Sequence, residues 1–326
     1  MSSGNAGRRS RLGIYASLAR PDHWVKNIFV LPGVVLPFSV LPVSVDQALV
    51  WRLVLGTIAV CLIASSNYVI NEILDAPYDR LHPVKRARPI PSGLVTIRIA
   101  YAEWVALMVA GMALALMVSS NFATVMAALW GMGCIYNIRP FRSKDIVYLD
   151  VLSEAINNPI RMLAGWYMVT DALIPTLSLL LAYWMVGCYF MALKRFSEYR
   201  GFTDRKQAIA YRLSFRYYTE RSLLTSVMFY AAASMLFLGA FIARYRIELV
   251  LAFPLLAFVM AVYLDLAFEA HSAVQHPEKL YRQTLLTSSV AVCVLGMLLL
   301  LFIDIPPFQR WFAPLTPLHT GQEGRL

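Results

Sequence analysis

The chain has 326 residues, 59% hydrophobic and 15% charged, with a formal charge of +10 and a mean hydropathy of +0.60. Soluble domains run at about 45–50% apolar and about 25% charged, so a water-soluble fold has nowhere to hide this much apolar surface. The short alternating segments of a membrane barrel are not seen, and long uncharged runs over 53–70, 104–130 and 284–303 fit bilayer-crossing helices, each needing about 20 apolar residues.

In chain order, residues 1–13 read as a flexible tail. Arg8, Arg9 and Arg11 are basic, but no short apolar stretch with a small-residue cleavage site follows, so this is not a signal peptide. A transmembrane domain over 14–305 follows, with nine expected spans at 27–44, 49–74, 98–118, 122–138, 151–170, 173–193, 223–243, 247–270 and 285–304. A short extracytoplasmic tail over 306–326 closes the chain. Pro32, Pro37 and Pro42 interrupt the first span, which is expected to kink or re-enter. The fold class is therefore all-α and polytopic. Cys61, Cys134, Cys188 and Cys293 lie singly on apolar spans without metal-like spacing and read as core thiols.

Charge placement tests the count. Nine spans put 24 of the 29 Lys and Arg residues on one side; Arg52, Arg244, Arg246, Arg310 and Arg325 fall on the other. That asymmetry predicts an N-in, C-out protein of the cell (inner) membrane, multi-pass, with its long polar loops in the cytoplasm. It also accounts for the positive charge without nucleic acid as a partner. No internal repeat of the transporter kind stands out.

The inner end of the second span carries the densest chemistry. Asn71 and Asp75 are four apart and share a helix face; Glu72 and Asp75 are neighbours at three, and Asp79 continues the row, with Pro77 expected to distort or end the helix. Carboxylates crowded at a membrane border repel and are costly, so something must neutralise them. Asn71, Glu72, Asp75 and Asp79 form an oxygen-ligand set suited to Mg²⁺, which takes one or two carboxylates plus substrate phosphates. Lys85, Arg86 and Arg88 follow and suit phosphate oxygens, so the segment reads as a phosphate-ester site.

The spacing of Asn71, Asp75 and Asp79 resembles the N-D-x-x-D-x-x-x-D signature of the UbiA superfamily of intramembrane prenyltransferases, which have nine helices; Glu72 stands where that family usually has Asp. The family carries a second aspartate-rich motif at the inner end of the sixth span. Here that place holds Tyr189, Lys194, Arg195 and Glu198, so two cations replace the aspartates. This is similar to the branch that makes decaprenyl-phosphate phosphoribose. Arg20-Pro21-Asp22-His23-Trp24-Val25-Lys26-Asn27, His82-Pro83 with Lys85-Arg86 and Arg88-Pro89-Ile90, Lys194-Arg195 with Glu198, and Tyr211-Arg212 with Ser214, Arg216, Tyr218 and Thr219 match that branch. The segment Ser153-Glu154 through Asn157-Asn158-Pro159 to Arg161 departs from it.

The resemblance implies transfer of 5-phosphoribose from phosphoribosyl diphosphate to a polyprenyl phosphate, assisted by Mg²⁺ on Asp75 and Asp79 with Asn71 orienting; these three are the candidate catalytic residues. Lys26, Arg139, Lys144, Lys194 and Arg195 are the cations expected to grip the 5-phosphate and the lipid phosphate, with Asn27 and Glu198 entering through their motifs. Tyr136 and Tyr189 either donate to phosphate or ribose or anchor at the interface, and Asp150 and Arg161 either pair structurally or take part in substrate binding. Self-association is left open. The competing readings are a UbiA enzyme prenylating an aromatic or tetrapyrrole acceptor, and a transporter.

Overall fold

The computed structural model describes residues 11–80, 85–269, 272–275 and 277–312. His82 and Pro83 of the quoted motif, residues 1–10 of the first expected tail and 313–326 of the second lie outside the described residues. All regular structure among those described is helical.

The helices are α1 (Arg11–Leu18), α2 (Leu31–Val40), α3 (Gln47–Asp79), α4 (Ile97–Val118), α5 (Ser120–Asn137), α6 (Leu149–Ala155), α7 (Asn157–Val169), α8 (Leu177–Arg200), α9 (Arg205–Tyr211), α10 (Glu220–Tyr245), α11 (Phe253–Ala267), α12 (Thr284–Phe302) and α13 (Pro306–Trp311). A 3-10 segment, Pro21–Val30, leads into α2. Among the described residues, seven segments are long and apolar enough to cross a membrane: Gly13–Val40, Gln47–Asp79, Ile97–Val118, Leu177–Arg200, Glu220–Tyr245, Ile247–Ala267 and Thr284–Phe302.

Local chemistry explains the boundaries. Asp46 caps α3 by accepting the Leu49 N–H at 2.8 Å. That helix runs on through Pro77 to Asp79, so the proline does not end it there. The span expected over 151–170 is instead divided at Ile156 into α6 and α7. Pro159 is the cause: it lacks an N–H, and its ring opposes the carbonyl of Ala155 four residues earlier.

Packing follows small residues. A Cβ on Gly33 would sit 1.8 Å from the Met162 carbonyl oxygen, and one on Gly165 2.1 Å from that of Val30. Only glycine lets the backbones of α2 and α7 approach this closely. Gly133 of α5 gives the same clearance to the Asn67 side chain on α3. One apolar core joins α3, α5 and α7 around Val60, Phe122, Met126 and Met168. A second joins α8, α10 and α11 around Leu193, Phe196, Tyr218 and Tyr263. Cys61, Cys188 and Cys293 are buried free thiols, and Cys134 is half-buried.

Candidate active site

The polar side chains converge at one end of the bundle, on the last turns of α3, α5 and α8, the first turns of α6, and the loops between them. The α3 carboxylates do not form one cluster. Glu72, fully buried, spends one oxygen on Arg20 at 2.8 Å and the other on the Ile90 N–H at 3.1 Å. Asp75 accepts Lys144 at 2.6 Å and Arg142 at 3.0 Å on the same oxygen. Asp79 is buried and paired with Arg88 at 2.5 Å. Asn71 donates to the Asn137 side-chain oxygen at 2.6 Å, which also accepts Lys144 at 2.9 Å.

Among the described residues no three of His, Cys, Asp and Glu stand close enough together to hold an ion. Both Glu72 oxygens already have a protein partner. Asp75 and Asp79 each keep one oxygen without a partner among the described residues, and so does the Asn71 amide. Two carboxylates and an amide on successive turns of one helix fit a divalent ion that takes its remaining ligands from water and phosphate.

Lys144 lies in the loop after α5, nearly buried, and burial pulls its ammonium down to about 8 against the raising effect of Asp75. Arg142 beside it adopts a left-handed backbone at φ 30° and also binds Asp145 at 2.7 Å. Lys85 rests 4.8 Å from the centre of the Tyr211 ring, and burial lowers its pKa. Arg86 and Arg139 are exposed, and Lys26 is half-buried.

The second cluster differs from its expected role. Arg195 is fully buried and binds Glu154 at 2.5 Å, Asp150 at 3.2 Å and Glu198 at 3.2 Å. Three of its five N–H groups go to these carboxylates, a bonding pattern that ties α6 to α8. Asp150, likewise buried, also accepts Ser214 at 3.1 Å and Tyr218 at 2.7 Å. It therefore does not pair with Arg161, which instead binds Asn27 at 3.1 Å. Tyr189 is buried and donates to the Met260 carbonyl at 2.7 Å, away from the polar end. Tyr136 donates to Glu154 at 3.0 Å. Lys194 makes no close ion pair among the described residues; Glu198, Glu154, Arg195 and Lys26 are the charges that act on it.

Sequence reasoning missed Arg20, Asn137, Arg142, Glu154 and Arg212 as site residues. Arg212 approaches Asp150 and Glu198 at 4.0 Å each, with a buried Nε–H lacking a partner. Two signals were present: Asp150 and Glu154 lie four apart on one helix, demanding a shared cation, and Arg20 and Arg212 stood inside quoted motifs.

Helices crossing the membrane around a polar end rich in phosphate-sized cations define an intramembrane enzyme scaffold. The family model for the UbiA prenyltransferase family matches residues 29–286, and the chain belongs to that family, which places it among membrane-embedded transferases. It is 32% identical over 183 residues to decaprenyl-phosphate phosphoribosyltransferase of Mycolicibacterium smegmatis, covering 55% of each chain. It is 33% identical over 183 residues to the Mycobacterium tuberculosis H37Rv protein of that name, covering 55% of this chain and 58% of the other. The chain thus spans little more than half the length of the curated relatives it matches. A UbiA homolog from Archaeoglobus fulgidus, solved with GPP and Mg²⁺, shares the fold at a TM-score of 0.65 and 20% identity, covering 86% of this chain and 99% of that one.

Proposed function

We propose that this chain transfers 5-phosphoribose from phosphoribosyl diphosphate to a polyprenyl phosphate, releasing diphosphate, at the cytoplasmic face of the cell membrane. Nine crossings in an N-in, C-out arrangement put the Lys- and Arg-rich end there. The observation that carries the reading is the excess of cations over carboxylates at the polar end. Nine cations, Arg20, Lys26, Lys85, Arg88, Arg142, Lys144, Lys194, Arg195 and Arg212, share this end with seven carboxylates, Glu72, Asp75, Asp79, Asp145, Asp150, Glu154 and Glu198. A donor with several phosphates suits such a surface better than a prenyl diphosphate alone. The mycobacterial relatives' names point the same way.

Mg²⁺ held by Asn71, Asp75 and Asp79 would supply positive charge opposite the departing diphosphate. The protein's own residues do the rest. Lys144 and Arg142, loop-borne and already placed on Asp75, bind phosphate oxygens as negative charge grows on the leaving group. Asn137 fixes both Lys144 and Asn71 and so sets the register between α3 and the α5–α6 loop. The C1–O bond to diphosphate breaks as a lipid phosphate oxygen bonds to C1. That oxygen is anionic at neutral pH, so no strong base is required.

The test is the full chain purified in detergent with radiolabelled phosphoribosyl diphosphate and polyprenyl phosphate. Label entering the organic phase supports the reading. Label staying aqueous, with product formed instead from a prenyl diphosphate and an aromatic acceptor, overturns it.

A further inference from the structure

Arg161 of α7 is a guanidinium without a counter-charge among the described residues. It is only partly exposed, yet no described carboxylate pairs with it. Its Nε–H goes to the Asn27 side-chain oxygen at 3.1 Å and an Nη1–H to the Asn157 carbonyl at a long 3.5 Å, so the Nη2 pair has no protein acceptor. The groups acting on it electrostatically are Tyr68, Tyr183 and Cys61, all neutral partners. An arginine does not shed its proton, and a charge held among helices this way is expensive unless an anion meets it.

The surroundings are those of an anion pocket. Asn27 is buried and holds its orientation by donating to Cys61 Sγ at 3.3 Å. Tyr183 makes only a long 3.4 Å bond to the Phe29 carbonyl, and the Tyr68 hydroxyl has no protein partner, leaving two donors able to turn to a ligand. Arg161 acts on the Tyr68 hydroxyl, and so do Arg20, Glu154 and Asp22, so it feels the charges of the polar end as well. On α3, Tyr68 and Asp75 are seven residues apart, about 10 Å along the axis. One phosphate group does not reach both.

We propose that Arg161, with Tyr68, Asn27 and Tyr183, forms a second anion subsite, set deeper in the bundle than the acidic turns of α3, that takes a phosphate monoester. This rests on the proposed function, which places diphosphate at Asp75. The monoester comes from one of two sources, the 5-phosphate of the donor or the head of the lipid acceptor. A planar fork of donors flanked by two phenols suits either.

The experiment uses the full chain in detergent, as wild type, Arg161→Gln and Arg161→Lys, with thermal unfolding as the folding check. Steady-state KM values are measured separately for donor and acceptor, and binding of ribose 5-phosphate and of dodecyl phosphate is titrated without turnover. Losing a charge-assisted pair costs about ten- to hundredfold. Arg161→Gln is expected to raise one KM by that factor and weaken the matching probe alike, with Arg161→Lys giving a smaller rise on the same substrate. A rise confined to the donor and ribose 5-phosphate assigns the sugar phosphate; one confined to the acceptor and dodecyl phosphate assigns the lipid head. Unchanged KM values, or equal rises in both, overturn the subsite. If wild type binds a probe through Arg161 but transfers no phosphoribose, the proposed function falls and the subsite stands.

Discussion

Replacing Arg195 with Met tests whether this cation belongs to the scaffold or to the substrate. The side chain is fully buried and meets Asp150, Glu154 and Glu198 within 3.2 Å. Removing one partner of a buried pair costs about 3–5 kcal/mol because the other charge is left unpaired. Here three carboxylates lose their shared partner, and Arg212, at 4.0 Å from two of them, and Lys194 stand by to compensate in part. Taking about 3–5 kcal/mol as a floor, and roughly 2–4 °C per kcal/mol for a chain of a few hundred residues, the apparent Tm should fall by about 10 °C or more. The assay is a thermal shift in detergent at fixed scan rate, beside expression yield. Adding Glu198→Gln to the same variant removes one orphaned charge and should recover part of the loss. A well-folded Arg195→Met protein at the wild-type Tm, defective only in a raised KM for a phosphate substrate, would refute the structural assignment.

Asp75→Asn should lower transfer at least about a hundredfold while the protein stays folded, read as turnover against Tm, because charge opposite the leaving group is lost; wild-type turnover would remove Asp75 from the mechanism. Chelation of divalent ions should stop label transfer and added Mg²⁺ restore it; full turnover in excess chelator would exclude the ion. Gly165→Ala places a Cβ 2.1 Å from the Val30 carbonyl and should cost about 1–3 kcal/mol as a lower Tm. Tyr218→Phe strips Asp150 of its 2.7 Å donor and should cost about 1–3 kcal/mol, with KM for both substrates unchanged.

Much of the fold was readable because hydrophobic runs in a membrane protein obey length alone. The run over 49–74 and its polar continuation become the single helix α3, and the acidic spacing at its end follows from the 3.6-residue period. The division at Ile156 was less legible, although Asn157-Asn158-Pro159 carries a helix-breaking signal; the apolar residues around it masked the break. Which charge meets which was not legible. Glu72 finds Arg20 across 52 positions, and Arg195 finds Asp150 and Glu154 across 45 and 41. Proximity in sequence offered Lys85 and Arg86 to the α3 carboxylates, but tertiary packing brought Arg142 and Lys144 to Asp75. A structural pair of Arg161 with Asp150 was one of two readings because both were assigned to the same inner helix end; separate helices, α6 and α7, now hold them.

The two carboxylate clusters at the polar end answer the same electrostatic problem differently, and the difference separates scaffold from chemistry. Asp150, Glu154 and Glu198 sit on helices and share an arginine on a helix, so none of the four can move without unpacking α6 from α8. Asp75 and Asp79 also sit on a helix, but their cations, Arg142, Lys144 and Arg88, come from loops. A loop-borne cation can follow a phosphate that displaces it from its carboxylate, exposing that carboxylate to a divalent ion in the same event. Under the proposed function, Asp75 and Asp79 would then hold the ion while the freed loop cations hold the phosphate, and Arg195 would keep the opposite wall fixed. The cations at 194 and 195 would serve rigidity on one side of the pocket so that the other can rearrange.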